Sequence, residues 1–215
     1  TMITTVVSTP LLDTIVKKNG KKALRVLTGF KYIGEKIRQF ENKELDGTFL
    51  FGFEEAIGYL IGTHVRDKDA VVASMLIAEM ATTFENNGSS IYNEIMKIYK
   101  KYGWRLEITV PVTKKGKDGL EEIQKIMKSM RAKNHTEIAG IKIKEYRDYQ
   151  KGIEGLPKAD VIQMVLEDET YLTVRPSGTE PKIKFYISVV DTDRKVAENK
   201  LVKMEKEFVN YAENL

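Results

Sequence analysis

Between Thr173 and Lys184 the chain reads Thr-Val-Arg-Pro-Ser-Gly-Thr-Glu-Pro-Lys-Ile-Lys, and its centre is suited to holding an oxyanion. Arg175 offers a planar fork of N–H donors that matches a phosphate through two parallel hydrogen bonds. Ser177 and Thr179 add hydroxyl donors, and Gly178 lets backbone N–H groups come close to a ligand. Pro176, Gly178 and Pro181 break regular structure, so these groups are expected on a tight loop. A polar hairpin loop with an incidental arginine is the plainer alternative. The convergence of donors from Arg175 to Thr179 favours phosphate binding.

A second group of chemical residues lies nearer the N-terminus. Glu54 and Glu55 follow a strand pattern and precede Gly58. Paired carboxylates on a loop can accept hydrogen bonds from sugar hydroxyls; the alternative is one carboxylate at a helix start and one in solvent. Lys68, with Arg66 beside it, opens a long helix, where a cation could hold a phosphate or assist proton transfer. Most lysines are simply surface residues. His64 and His135 are the two histidines, and a lone histidine is more often structural than catalytic. His135, in Lys133-Asn134-His135-Thr136, reads as a loop residue. Trp104, the single tryptophan, reads as a packing residue.

These residues need elements to position them. Thr170 to Val174 is β-branched and aromatic. Ile183, Phe185, Ile187 and Val189 then alternate with Lys184, Tyr186 and Ser188 at the period of a half-buried strand. In the first half, strands are expected at 2–8, 23–27 and 48–53. Helices are expected from Pro10 to Asn19-Gly20, at 32–40 with Ile33 and Ile37 inward, at 69–84 and at 91–102. The helix at 69–84 is apolar nearly all round, which predicts a central position. Strand and helix alternate, so residues 1–103 are expected to form an α/β domain with a mostly parallel sheet.

The second half differs. Strands are expected at 105–112, 138–146, 161–166, 171–174 and 183–190, with loops at 114–119 and 151–158. One helix spans 120–130 with Leu120, Ile123, Met127 and Met130 inward. The last carries Ala197, Leu201, Met204, Phe208 and Tyr211 at helical spacing. Residues 104–215 are therefore expected to be an α+β domain with a mostly antiparallel sheet.

Composition limits the reading further. A chain of 215 residues suggests one large domain or two of about a hundred residues each, and at 42% hydrophobic it can bury a real core. There is no cysteine, which excludes disulfides and thiolate metal sites and permits a cytoplasmic setting. No apolar run reaches the roughly 20 residues of a membrane span, and the N-terminus has no signal-peptide pattern. The net charge is +4. The densest basic stretch, Lys97 to Lys125, is interrupted by apolar and acidic residues and reads as a solvated surface, so no nucleic-acid partner is expected.

The motifs also carry a resemblance. Arg-Pro-Ser-Gly-Thr-Glu-Pro-Lys at 175–182 resembles the phosphate-binding loop in the last domain of the α-D-phosphohexomutases, the phosphoglucomutase and phosphomannomutase family. Phe-Gly-Phe-Glu-Glu-Ala-Ile-Gly-Tyr at 51–59 resembles the family's sugar-recognition loop, with Ala56 where the family usually has serine. His-Val-Arg-Asp-Lys-Asp at 64–69 and Leu-Thr-Gly-Phe-Lys at 27–31 resemble two further family segments, the second being a turn over the substrate. The four motifs stand in family order.

The resemblance implies domains three and four of a hexose mutase that moves a phosphoryl group between the C1 and C6 oxygens, with glucose the leading sugar. Mannose, glucosamine or a pentose remain open. It assigns substrate contacts to Thr28, Gly29, Glu54, Ala56, Arg66, Lys68, Arg175, Ser177, Gly178 and Thr179, with Lys68 able to assist the chemistry. The family's phosphoserine loop and Asp-x-Asp-x-Asp metal motif have no counterpart here: there is no Ser-His pair, and neither Asp67-Lys68-Asp69 nor Asp191-Thr192-Asp193 extends to a third aspartate. Mg²⁺ is therefore expected outside this chain, on N-terminal domains of the same protein. Glucose 1,6-bisphosphate is the implied intermediate. An opening already in strand pattern is expected of a piece of a longer protein, and the piece by itself is expected to be inactive. A stand-alone phosphosugar-binding module is the second reading.

Overall fold

The computed structural model describes residues 1–114, 118–132, 135–153, 155–178 and 180–214. The chain divides into two compact units, Thr1–Tyr102 and Gly103–Leu215.

The first unit is built on a four-stranded sheet in the order β2-β1-β3-β4, where β1 is Met2–Thr5, β2 Ala23–Val26, β3 Phe51–Glu54 and β4 Gly58–Ile61. Strand β1 pairs in parallel with both β2 and β3, and β4 returns antiparallel along β3. The sheet is thus mostly parallel. The fourth strand stands where only a loop was expected. Its turn places Ile57 at φ 57°, a region β-branched residues rarely enter. Helix α1, Leu11–Lys18, links β1 to β2, and α2, Phe30–Glu41, carries the chain past β1 to β3. Ile33 and Ile37 of α2 are fully buried with Ile3, Val26, Phe30, Phe49 and Leu60 in the unit's core. Gly52 faces this helix closely: a Cβ there would lie 2.7 Å from Ile33 Cγ2.

Two further helices follow, α3 (Ala70–Asn86) and α4 (Ile91–Tyr102). The expectation of a central position for α3 is corrected here: none of its residues is buried. Its apolar side chains are spread round the axis, and only a minority can face β4.

The second unit has a six-stranded sheet in the order β5-β10-β9-β8-β7-β6. The strands are β5 Trp104–Thr113, β6 Glu137–Ile138, β7 Ile141–Asp148, β8 Ile162–Leu166, β9 Tyr171–Pro176 and β10 Lys182–Asp191. Every pairing in it is antiparallel. The strand expected at 138–146 is split by a tight turn, because Ala139 and Gly140 both take positive φ, 55° and 79°. Helices α5 (Gly119–Ala132) and α6 (Arg194–Glu213) pack on one face. Ile123, Met127, Met130, Met204 and Phe208 close a core over Leu172, Val174, Phe185 and Ile187. Leu120 departs from expectation: it is exposed rather than inward. Parts of the loops expected at 114–119 and 151–158, namely residues 115–117 and 154, lie outside the described residues, as do 133–134.

Candidate functional sites

In the first unit the candidate residues gather at the carboxyl ends of the parallel strands. The chain leaves β1 toward β2 and then passes back beyond β1 to β3, so strand order reverses at β1. Open α/β sheets bind ligands in the crevice at such a reversal. The loops after β1, β2 and β3 supply Thr5 to Thr9, Thr28-Gly29 and Glu54 to Ile57.

Glu54 is buried, at 8% exposure, and its Oε1 accepts a 2.7 Å hydrogen bond from the Gly29 N–H. One carboxylate oxygen thus holds the Thr28-Gly29 turn against the hairpin. Gly29 sits at φ 125°, ahead of α2, a conformation suited to glycine. Beside it, Thr28 Oγ1 is buried with no hydrogen-bond partner among the described residues. Glu55 is exposed, and its Oε2 lies 3.3 Å from both Thr5 Oγ1 and Ser8 Oγ, accepting from whichever hydroxyl does not donate to the other. Those two hydroxyls are buried and share a 2.8 Å hydrogen bond. Thr5 and Ser8 thus join the candidate site, where the sequence reading had not placed them. Their signal was hydroxyls at the end of an otherwise apolar strand. Ala56 is exposed at the tip of the turn.

The Arg66-Asp67-Lys68 segment crosses this hairpin at close range. A Cβ on Gly58 would lie 2.6 Å from Lys68 Cδ, and one on Gly34 would lie 2.8 Å from the Arg66 carbonyl oxygen. Both glycines leave room for the segment. Lys68 Nζ donates to Asp67 Oδ1 at 2.8 Å and stands 5.2 Å from the centre of the Phe30 ring. The hydrogen bonds from Lys68 hold the Asp67 carboxyl below its usual pKa. Arg66 does not join Lys68: its guanidinium donates to Glu41 Oε2 and to the carbonyls of Thr63 and Val65. His64 Nε2 contacts Asp69 Oδ2 at 2.8 Å, and Asp69 caps α3 by accepting from Val72 N–H. That cap and His64 lower the Asp69 pKa. His64 therefore contacts the residue that caps the helix start.

In the second unit, Arg175 and Pro176 end β9, and the loop from Ser177 leads into β10. The Ser177 N–H donates to the Lys182 carbonyl at 2.7 Å, which tightens the loop. Pro176 is part of the ladder, opposite Ile183, so regular pairing runs further than Pro176 suggested. Arg175 Nη1 is 3.4 Å from Tyr186 Oη on the neighbouring strand. Gly178 is not in the left-handed region, and a Cβ there would meet nothing within 4 Å. Its open side leaves space for a ligand without backbone strain. Thr179 lies outside the described residues.

Arg175, Pro176, Ser177 and Gly178 line a pocket of about 400 Å³ with Leu120 and Ile123 of α5 and Asp160 and Val161 before β8. The exposed Leu120 forms part of its wall. Asp160 would repel an anion, but it pairs with Arg131, which also donates to Asp148 at 3.2 Å. Burial works against the charge on Arg131, yet its bonds to Asp160 and Asp148 raise its pKa above the ordinary value. Arg131 thus offsets part of the Asp160 charge beside the loop, sharing its own charge with Asp148.

His135 lies away from this pocket and joins Tyr211 Oη to the Met130 carbonyl, while Arg194 covers the Trp104 ring at 5.3 Å. Both are packing residues. Among the described residues no cluster of three or more His, Cys, Asp or Glu could hold a metal ion. None of the described helices is long and apolar enough to cross a membrane.

The chain thus joins a mostly parallel sheet with carboxylates and hydroxyls at its carboxyl edge to an antiparallel sheet bearing an arginine loop. Residues 1–99 match the family described as phosphoglucomutase/phosphomannomutase, alpha/beta/alpha domain III, and residues 107–201 match its C-terminal domain. The chain belongs to the phosphoglucomutase/phosphomannomutase family. It is 36% identical over 200 residues to a phosphoglucomutase of Staphylococcus aureus strain MRSA252, covering 87% of this chain and 35% of that protein. The phosphoglucomutase of strain N315 is 36% identical over 198 residues. In fold it is similar to the open form of parafusin, a phosphoglucomutase from Paramecium, with a TM-score of 0.69, 17% identity and coverage of 94% and 36% of the two chains. A family protein from Burkholderia thailandensis gives a TM-score of 0.60 at 13% identity, covering 97% and 36%. The chain thus spans about a third of the length of the relatives it matches.

Proposed function

We propose that this chain is the sugar- and phosphate-gripping part of a cytoplasmic phosphohexomutase that interconverts hexose 1-phosphate and hexose 6-phosphate, with glucose the leading sugar. The loop Arg175 to Gly178, opening on a pocket of about 400 Å³, carries the reading. Arg175 would grip the non-reacting phosphate bidentately, with Ser177 and Thr179 adding donors. At the other site, Glu54 holds the Thr28-Gly29 turn with Oε1, and its Oε2, Glu55 and the Thr28 hydroxyl would read sugar hydroxyls. The orphaned Thr28 Oγ1 supports a ligand there. Lys68 would face a phosphate. Arg66, tied to Glu41, would brace the segment rather than touch substrate. Phosphoryl transfer is mostly positioning and electrostatics, and these residues supply positioning. Mg²⁺ and the reacting serine would belong to polypeptide outside residues 1–215, with glucose 1,6-bisphosphate as the intermediate.

The test is titration calorimetry of inorganic phosphate and glucose 6-phosphate against the chain and its Arg175→Ala variant, with turnover of glucose 1-phosphate by the longer protein. Arg175→Ala should weaken phosphate binding by about 1.5–3 kcal/mol, the worth of hydrogen bonds to a charged group. Equal affinity in both would overturn the loop assignment. Turnover by the purified chain alone would overturn the assignment of the reacting groups elsewhere.

A further inference from the structure

Helix α3 is the anomaly of the first unit. Its sequence, AVVASMLIAEMATTFEN, has Glu79 and Glu85 as its only charged residues, and none of its residues is buried. Val71 is 81% exposed and Met75 60%. These two, with Ala78 and Thr82, follow the spacing i, i+4, i+7, i+11, which places them on one stripe. Ser74 and Ala78, both exposed, flank Met75 and are small enough to let another backbone come close. Ile77 and Met80 extend the apolar surface at 49% and 41% exposure. An exposed apolar patch of this continuity marks an interaction surface.

The sheet shows the same incompleteness. Its α2 face is sealed. The opposite face carries Phe51, Phe53 and Tyr59, stacked at 5.5 and 6.3 Å but only partly covered. The matching family unit is described as alpha/beta/alpha, with helices on both sides of its sheet. The relatives are about two and a half times as long as this chain, the match covering 87% of it and 35% of them.

We propose that the outward stripe of α3, Val71, Ser74, Met75 and Ala78, is the seat of an apolar helix contributed by polypeptide of the same protein outside residues 1–215. The proposal rests on the reading that the chain is part of a longer mutase. The occupant should be nearly uncharged where it meets the stripe, because the stripe carries no charged group from Val71 to Ala78. The small side chains of Ser74 and Ala78 favour a close helix crossing. A second copy of the chain and the chain's own second unit are the competing occupants.

Peroxide oxidation of Met75 and Met80, followed by mass spectrometry, compares the 215-residue chain with the longer protein. Methionine oxidation follows exposure. Met75 should oxidise rapidly in the chain and several-fold more slowly in the longer protein. In parallel, Met75→Lys should leave the melting of the chain unchanged and lower that of the longer protein. Equal oxidation rates in both proteins would overturn the proposal. So would slow oxidation in the chain itself: if concentration-dependent with a dimer by sedimentation, a second copy is the occupant, and if concentration-independent, the second unit is. The phosphate titration of Arg175→Ala is the separate arm: its failure would sink the phosphate-loop assignment while leaving protection of Met75 to be judged alone.

Discussion

The two longest helices of this protein treat their apolar residues in opposite ways. Helix α6 is the more polar, with lysines and glutamates along its length, yet it buries Ala197, Met204, Phe208 and Ala212 completely. Helix α3 is far more apolar and buries nothing. Composition therefore does not decide burial. A stripe aligned to a finished sheet does, and α6 has one at spacings of four and three, whereas the apolar residues of α3 surround the axis. The same contrast holds between the units. Sixteen described residues form the buried cluster of the second unit, and seven that of the first. The second unit should behave as a self-sufficient domain, and the first as one whose second helical layer needs a further partner.

The largest expected effect tests that contrast directly. Phe185 is fully buried and meets Phe208 edge-on at 5.6 Å. Phe185→Ala should destabilise the second unit by about 3–5 kcal/mol, the usual result of emptying a packed aromatic site. Val71→Ala on α3 should change stability by less than about 0.5 kcal/mol in the same chain. Urea unfolding followed by the fluorescence of Trp104, which lies in the second unit, reports the first of these; circular dichroism reports the second. Comparable losses from both substitutions would erase the distinction between the helices.

A smaller effect concerns how the first unit holds its site. Glu54→Ala removes the acceptor of the Gly29 N–H, and an unsatisfied, partly buried donor costs about 1–3 kcal/mol. Glu54→Gln keeps an acceptor oxygen and should stay near wild type. If the two variants are equally destabilised, charge rather than the Gly29 hydrogen bond holds the turn. The Arg175 loop needs no such long tie, since the adjacent strands β9 and β10 position it.

This difference also explains what could be read from the sequence. Proline and glycine punctuation around Arg175 marked its loop, and the alternation from Ile183 to Val189 marked the strand that supports it. Amphipathic α5 and α6 were legible for the same local reason, apart from Leu120, which turned toward the pocket. The hairpin at Glu54 to Gly58 was not legible, because Ile57 takes a backbone region its side chain disfavours. Nor was the Glu54 to Gly29 contact, since the partners are 25 residues apart and one is a backbone amide. Thr5 and Ser8 looked like strand residues; only the crossing of the chain past β1 brings Glu55 to them. The exposure of α3 escaped because an apolar helix is expected to find its cover within the chain that carries it.

The smallest effects lie at the helix caps, and they separate the units by where a loss is felt. Asp193 accepts from the Val196 N–H at the start of α6, and Asp69 does the same from Val72 on α3. Since α6 is packed along its length, Asp193→Ala should lower the global stability of the second unit by about 1 kcal/mol. On α3 the same loss should appear as fraying of the first turn. Acid provides the finer probe. The Val72 N–H and His64 lower the Asp69 pKa from 3.8 in the folded state. The cap is therefore fully charged above 3.8, and its contribution is lost as pH falls through the lower folded value. Asparagine caps a helix about as well as aspartate and does not titrate there. Backbone chemical shifts of Val71, Val72 and Ala73, followed from neutral pH to below 3.8, should move toward coil in the wild type and stay helical in Asp69→Asn. The same acid transition in both proteins would show that the first turn of α3 is held by something other than the Asp69 carboxylate.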